Sequence, residues 1–329
     1  MDSLINDILN KTNINFNKLI HKDRKLNSFI ISSKQNCLIF SNNNKIVKSI
    51  KIKNVTEIIS RIVDNKFVIL DESIAELINN LIIKNYNSTN NSHFVNIYDI
   101  WYNSNNIYIE MEHLKYSFHN IIKIYQQKLY HEPVYLLSIF FQIIFMIYQL
   151  QKINFVHYDL KRENIRFKFT NDKNISYQYY NINFNVPSLG YTAHCFDFGT
   201  SIFKLNDMTV TNQTIFENKL LDNYNIDSNL NLNYDLHFFF QDFTNTYGDY
   251  FPWIYDFIDD IGIKVKSYDI RHISKDSNIK SINDIILSNW FKPFRQCNNN
   301  FTELNLQLVS KQFDHDDNEL PSNTPILNE

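Results

Sequence analysis

Residues 135–151, with the sequence YLLSIFFQIIFMIYQLQ, are apolar on nearly every side of a helix. A helix on a protein surface keeps a polar face, so a helix without one is surrounded by protein. Ser138, Gln142 and Gln149 interrupt the run, which falls short of the roughly 20 apolar residues that span a bilayer. The sequence therefore predicts a buried helix within a sizeable core, and no membrane span.

The segments around this helix differ in character. Short runs rich in β-branched and aromatic residues lie at 28–53 and 94–114, and residues 71–83 between them carry apolar side chains at helical spacing. Residues 175–201 again indicate strands, while the sequence beyond 218 is mainly typical of helices. The pattern predicts an α+β fold with a small, mainly antiparallel β part and a larger, mainly helical part.

Charge and cysteine content exclude several classes of protein. The chain of 329 residues has a formal net charge of −3, which gives no general electrostatic attraction for nucleic acid or an anionic membrane. Its three cysteines form no Cys-x-x-Cys pair, and the N-terminal sequence lacks the basic segment and unbroken apolar run of a signal peptide. We expect a monomeric cytoplasmic protein that does not bind nucleic acid.

Two motifs carry the chemistry. Residues 157–164 have the sequence HYDLKREN, and Asp197-Phe198-Gly199 follows them. Any one of these charged residues alone would be interpreted as a solvated surface group. Together, with His, Asp-Leu-Lys and Asn in register ahead of Asp-Phe-Gly, they resemble the catalytic loop and the metal-binding triplet of eukaryotic-type protein kinases.

The resemblance implies a role for each polar position. Phosphoryl transfer needs a carboxylate at the acceptor hydroxyl, metal ions that bridge the phosphates, and positive charge around the transferred group. By resemblance, Asp159 would orient or accept the proton of a substrate hydroxyl, and Lys161 would contact the γ-phosphate of ATP. Asn164 and Asp197 would hold Mg²⁺.

The resemblance also implies a bilobal protein-kinase fold. Its expected divisions are an N-terminal extension at 1–27, a β-rich N-lobe at 28–112, a helical C-lobe at 113–313 with a hairpin insertion near 169–194, and a disordered acidic tail at 314–329. Residues Glu112, His113 and Leu114 follow a strand that resembles the gatekeeper region, so their backbone groups would bind adenine. Asp235 resembles the aspartate that opens a helix beneath the catalytic loop and braces its backbone.

The N-lobe lysine has two candidates. Alternate residues of a strand face the same way, and the family's lysine follows a small residue two positions earlier. Lys51 fits this rule with Ser49 and is slightly favoured, whereas Lys48 fits the distance from the preceding strand better. The helical partner would be Glu72 or Glu76, which lie one turn apart on one helix face and are not separable from the sequence.

The glycine-rich loop of the family is missing. Ser32, Lys34 and Cys37 occupy the positions of its three glycines, with the hydrophobic Ile39 after them. Glycines let backbone amides approach phosphates closely, so their loss weakens the expected nucleotide site, and Lys34 would compensate in part by its charge. Tyr158 replaces an arginine that in many kinases pairs with a phosphorylated activation loop, so control by that route is not expected.

A long interval separates Asn164 from Asp197 and ends in VPSLGYTAHCFDFG. This tyrosine-rich insertion resembles the serine/threonine kinases of poxviruses and other large DNA viruses, and the resemblance covers roughly residues 28–245. It implies a location in the host-cell cytoplasm, with packaging in the virion also open.

Three functions compete. An active serine/threonine protein kinase leads, because Lys161 two residues after Asp159 is the serine/threonine form of the motif. A pseudokinase scaffold that binds partners with little catalysis is favoured by the absent glycines. A small-molecule kinase would usually carry His in place of Lys161 and an acidic residue in place of Gly199. We therefore expect ATP and Mg²⁺ as cofactors and a protein of unknown identity as the substrate.

Overall fold

The computed structural model describes residues 20–21, 29–34, 37–42, 45–52, 60–63, 66–69, 71–87, 93–103, 106–205, 208–212, 231–265 and 278–296. The first elements are β1 (Ile20–His21), β2 (Phe29–Lys34), β3 (Cys37–Asn42), β4 (Lys45–Lys51), β5 (Ser60–Val63), β6 (Lys66–Ile69), α1 (Glu72–Asn87), β7 (Ile97–Tyr102) and β8 (Asn106–Glu112).

The later elements are β9 (Tyr116–Ser117), α2 (Phe118–His131), α3 (Pro133–Lys152), β10 (Phe155–Val156), β11 (Ile165–Phe169), β12 (Asn174–Tyr179), β13 (Ile182–Pro187), β14 (Tyr191–Cys195), β15 (Ile202–Leu205), β16 (Met208–Asn212), α4 (Tyr234–Tyr247), α5 (Ile254–Asp260) and α6 (Ile282–Ile286). The tail expected at 314–329, and the extension expected at 1–27 apart from β1, lie outside the described residues.

A mainly antiparallel sheet forms the N-terminal part of the fold. Its strand order in the described residues is β1-β7-β8-β4-β3-β2, and each pair is antiparallel except β1 with β7. Helix α1 lies between β6 and β7 in the chain, and Asp71 ahead of it accepts a hydrogen bond from the Ser73 amide at 2.8 Å. The predicted strand runs, the helix and the α+β class are confirmed.

Helix α3 is the centre of the helical part. Pro133 begins it, where the missing N–H has no partner to lose. Among the described residues, α3 is the one helix long and apolar enough to cross a membrane. However, 89% of its most apolar 18-residue stretch is buried inside the protein. Phe140 and Phe141 are fully buried among aromatic side chains of α4, α5 and the hairpin described next. The prediction of a buried core helix is confirmed.

A hairpin of β12 and β13 covers one side of α3. Tyr177 from β12 and Phe184 from β13 lie 5.3 and 4.9 Å from the Phe141 ring, measured between ring centroids. Both residues point to one face of the hairpin, since they are directly paired across its strands. The interval between the two sequence motifs is therefore a packed structural element.

Another sheet connects distant parts of the chain. Its order in the described residues is β10-β15-β16-β6-β5, and β16 pairs in parallel with β6, the strand that leads into α1. A third sheet pairs β11 with β14 on one side and with β9 on the other. These two sheets hold the ends of the motif segments, because 157–164 follows β10 and the Asp-Phe-Gly triplet lies between β14 and β15.

Candidate active site

A buried carboxylate binds the backbone of the HYDLKREN loop. Asp235, in the first turn of α4, accepts hydrogen bonds from the backbone N–H groups of His157 and Tyr158 at 2.8 and 2.9 Å. Burial raises the pKa of Asp235 to about 6, against the lowering effect of His157 and these two bonds. The expectation that Asp235 braces the loop backbone is confirmed.

Two further loop residues are fixed by side-chain packing. The fully buried His157 ring donates from Nε2 to the Phe196 carbonyl at 2.9 Å and accepts at Nδ1 from the Asp159 amide at 3.3 Å. Tyr158 has a left-handed backbone, with φ of 62°, and its ring stacks on Tyr234 at 4.8 Å. At the position where many kinases carry an arginine, the loop is therefore anchored to α4 through an aromatic contact.

The polar side chains of the loop converge on Asp159. Lys161 Nζ lies 3.0 Å from Asp159 Oδ2, and the Asn164 amide nitrogen donates to the same oxygen at 2.9 Å. Asn164 also donates to the Asp159 backbone carbonyl at 2.8 Å. The Asp159 carboxylate is thus oriented by Lys161 and Asn164, and 18% of its side chain is exposed to solvent.

Asn164 and Asp197 lie at the same end of paired strands. Asn164 precedes β11 and Asp197 follows β14, and these strands pair with Ile165 opposite Cys195. The Phe196 amide also donates to the Asn164 carbonyl at 3.2 Å. Asp197 has a left-handed backbone, with φ of 67°, and a side chain that is 42% exposed.

The donor atoms fit a magnesium ion. The Asn164 amide nitrogen is used on Asp159, which leaves the amide oxygen as its metal-binding atom. With the Asp197 carboxylate this gives two hard oxygen donors, and Mg²⁺ in nucleotide sites takes one or two carboxylates together with phosphate oxygens and water. In the described part of the chain, no group of three or more His, Cys, Asp or Glu side chains is placed to hold a metal.

The structure brings Lys48, and not Lys51, to the acidic residues. Lys48 Nζ donates to Glu76 Oε1 and, at 2.6 Å, to Asp197 Oδ1. Lys51 is exposed and lies three residues further along β4, which places it on the opposite face of the sheet. The preference for Lys51 as the lysine that pairs with α1 is therefore corrected to Lys48. The small-residue rule misled because Ile46, and not a small residue, stands two positions before Lys48.

The helical partner of Lys48 is Glu76. Glu72 begins α1 and is exposed, whereas the Glu76 side chain is 10% exposed and faces the turn that carries Gly199. A Cβ atom on Gly199 would lie 3.3 Å from Glu76 Oε2, so glycine permits this approach. Burial opposes the charge on Lys48, but Glu76 and Asp197 outweigh it and raise the pKa of Lys48 above its usual value. Lys48 is therefore a positive charge at neutral pH.

The residues at the predicted glycine-loop positions lie on the sheet that carries Lys48. Ile39 on β3 and Ile109 on β8 are the cross-strand partners of Lys48, so all three share a face. Ser32 and Lys34 lie on β2, and Cys37 begins β3.

Residues Glu112, His113 and Leu114 lie where the chain leaves the N-terminal sheet for β9. Glu112 ends β8, and its side chain binds Lys168 of β11 at 2.9 Å. Leu114 is buried and His113 is half-buried. The three residues therefore connect the sheet to the part of the chain that holds the motif loop. A role in adenine binding stays a prediction.

Two sets of contacts near the motifs are not predicted by the sequence. Arg162 binds Asp242 of α4, through its backbone N–H at 2.9 Å and its guanidinium at 3.4 Å.

Two buried histidines lie at β14, the strand before Asp197. His93 donates to the Ala193 carbonyl at 2.6 Å, and the centroids of the His93 and His194 rings are 6.0 Å apart. Burial lowers their pKa values to about 4 and about 3, so both are neutral hydrogen-bonding groups. Isolated His, Arg and Asp residues carry no sequence signal for such pairings.

The described residues form an α+β fold with a mainly antiparallel N-terminal sheet and mainly helical later elements. No family model and no curated protein sequence matches the chain. Among solved structures, 696 chains match. One is the crystal structure of the BubR1 kinase domain, with a TM-score of 0.39 and 12% identity over 62% of this chain. The chain spans 60% of that structure's length.

Proposed function

We propose that the protein is an ATP-dependent serine/threonine protein kinase. The observation that carries the proposal is the convergence of Lys48, Glu76 and Asp197, beside a loop in which Asp159 is oriented by Lys161 and Asn164. These are a cation for phosphate, oxygen ligands for a metal, and a carboxylate for the acceptor hydroxyl. Phosphoryl transfer needs all three.

Each side chain has a task that its contacts support. Asp159 would accept a hydrogen bond from the substrate hydroxyl and take its proton as the oxygen–phosphorus bond forms. Lys161, 3.0 Å from Asp159, would offset negative charge on the transferred group. Lys48, held by Glu76, would orient the phosphates of ATP. Asn164 and Asp197 would hold Mg²⁺, which supplies charge neutralisation between the phosphates when bound.

The finer assignment follows from the sequence. Lys161 in the Asp-Leu-Lys order favours serine or threonine over tyrosine as acceptor and a protein over a small molecule as substrate. The insertion that contains the β12–β13 hairpin favours a place among the kinases of large DNA viruses, and with it the host-cell cytoplasm as the location.

A pseudokinase scaffold is the alternative function. It is favoured by Ser32, Lys34 and Cys37, which stand where three glycines would let the backbone approach the phosphates. Such a protein would bind partners and transfer no phosphate. The two proposals differ in turnover, so they are separated by an activity measurement.

The test is transfer of radiolabelled phosphate from Mg·ATP to a generic protein mixture by the wild type and by Asp159→Asn. We expect labelling of serine or threonine, and a decrease of roughly 10² to 10⁴ in the variant, because the substitution removes proton acceptance. Binding of ATP should change little. No transfer by the wild type, with ATP still bound, would favour the scaffold. Equal transfer by both proteins would contradict the role of Asp159.

A further inference from the structure

The turn after Asp197 is bound to α1 by a buried asparagine. Asn79 lies one helical turn after Glu76 and is 2% exposed. Its side-chain amide donates to the backbone carbonyls of Phe198 and Ser201, at 2.8 and 3.2 Å. The helix that carries Glu76 and the turn that follows Asp197 are therefore joined by two hydrogen bonds from one side chain.

A second asparagine binds the same turn from β16. Asn212, at the end of that strand and 2% exposed, donates to the Gly199 carbonyl at 3.2 Å. Strand β16 pairs in parallel with β6, with Asn212 opposite Ile69, and α1 begins three residues after Ile69. The chain beyond the turn is thereby attached to the strand that leads into the helix.

The turn also contacts the catalytic loop. The hydroxyl groups of Thr200 and Ser201 both donate to the His157 backbone carbonyl at 3.2 Å. The turn at 198–201 therefore connects three elements: α1 through Asn79, β16 through Asn212, and the loop that carries Asp159.

We propose that Asn79 is a positioning residue that makes α1 and the 198–201 turn move as one unit. The inference rests on the proposed function for its consequence, which is that Lys48 keeps both carboxylate partners. Glu76 belongs to α1 and Asp197 adjoins the turn, so separation of the two elements pulls the partners of Lys48 apart. Buried amide-to-carbonyl bonds are costly to break, because the freed carbonyls stay away from water.

The chain offers a matched control next to Asn79. Asn80 lies on the same helix and is 1% exposed, but its amide donates at 2.7 Å to the Glu76 carbonyl within the helix. Substituting either asparagine removes a buried amide from α1. Only substitution of Asn79 removes a bond between the helix and the turn.

The first experiment is hydrogen–deuterium exchange on the full-length chain, comparing Asn79→Leu with Asn80→Leu. We expect Asn79→Leu to speed exchange about tenfold in peptides that cover both α1 and 198–203, because a net loss near 1.4 kcal/mol is a tenfold change in an opening equilibrium. Asn80→Leu should speed exchange in α1 alone. The alanine pair, Asn79→Ala and Asn80→Ala, serves if the leucine variants do not fold, since alanine is smaller than asparagine and its side chain cannot donate.

Phosphate transfer provides the second measurement. We expect the two leucine variants to have equal melting temperatures. The kcat of Asn79→Leu should nevertheless be several-fold below that of Asn80→Leu. Equal exchange at 198–203 in the two variants, or equal losses of kcat, would overturn the role of Asn79. An inactive wild type would contradict the kinase proposal, and the exchange comparison would still decide the coupling on its own.

Discussion

The HYDLKREN loop and the Lys48 cluster are built in different ways. The loop is eight consecutive residues, and Asp159, Lys161 and Asn164 contact one another directly within it. The Lys48 cluster joins a strand, a helix and a turn, and Lys48 and Asp197 are 149 positions apart in the chain. The contiguous loop depends on local backbone geometry and on the hydrogen bonds of Asp235 to its backbone. The cluster depends on the register of sheets and on how α1 packs.

The largest expected effect distinguishes the two lysines of β4. Lys48→Met removes the cation shared by Glu76 and Asp197, and we expect phosphate transfer to fall roughly 10² to 10³-fold, as for loss of a buried electrostatic contact to a transferred group. Lys51→Met, on the opposite face of the same strand, is the matched control and should stay within about twofold of the wild type. A larger loss in Lys51→Met than in Lys48→Met would return the assignment to Lys51.

The brace beneath the loop is tested by Asp235→Asn. An amide keeps one acceptor oxygen but turns an NH₂ group toward backbone donors, so one of the bonds to His157 and Tyr158 is lost. We expect unfolding free energy to fall by about 1–3 kcal/mol and transfer to fall about tenfold.

The control for that substitution is Asp256→Asn, in the first turn of α5, where the carboxylate is exposed. Denaturant unfolding and initial rates measure both variants. Similar small changes in the two would show that Asp235 acts only as an ordinary helix-terminal charge.

A smaller effect is expected at the contact between Gly199 and Glu76. Gly199→Ala places a methyl group 3.3 Å from Glu76 Oε2, so the glutamate must shift by a few tenths of an ångström to make room. We expect kcat/KM for ATP to fall by roughly threefold to tenfold, since the shift weakens the hold on Lys48 without removing it. Steady-state kinetics at varied ATP checks this. An unchanged kcat/KM would mean that the Glu76 position does not limit turnover.

The sequence predicts the contiguous features well and the assembled ones poorly. Hydrophobic periodicity identifies α1, a nearly continuous apolar run identifies α3, and β-branched and aromatic runs identify β2, β3, β4, β7 and β8, because each pattern is set by nearby residues. Asp235, in the sequence YDLHFFF, is identified by its resemblance to the kinase aspartate that opens a helix beneath the catalytic loop. Lys48 and Lys51 are not separated correctly, because which face of β4 meets α1 depends on packing that one strand does not encode.

The sheet that joins β16 to β6 shows the same limit. Both strands are short, and the sequence pattern predicts neither of them. Their parallel pairing brings together segments that have no neighbouring turn to mark them. Asn212 ends one of these paired strands, and buried asparagines such as Asn79 and Asn212 carry no signal of their own in an asparagine-rich chain.

The central claim is that metal, nucleotide and acceptor chemistry are divided between the two regions. It is tested most directly by the ATP affinity of the wild type, Asp159→Asn and Asp197→Asn, each with and without Mg²⁺, together with phosphate transfer. We expect Mg²⁺ to tighten ATP binding in the wild type and in Asp159→Asn but not in Asp197→Asn, and transfer by Asp159→Asn to be roughly 10² to 10⁴-fold below that of the wild type. Three proteins that bind ATP alike regardless of Mg²⁺ and are equally inactive would contradict the claim.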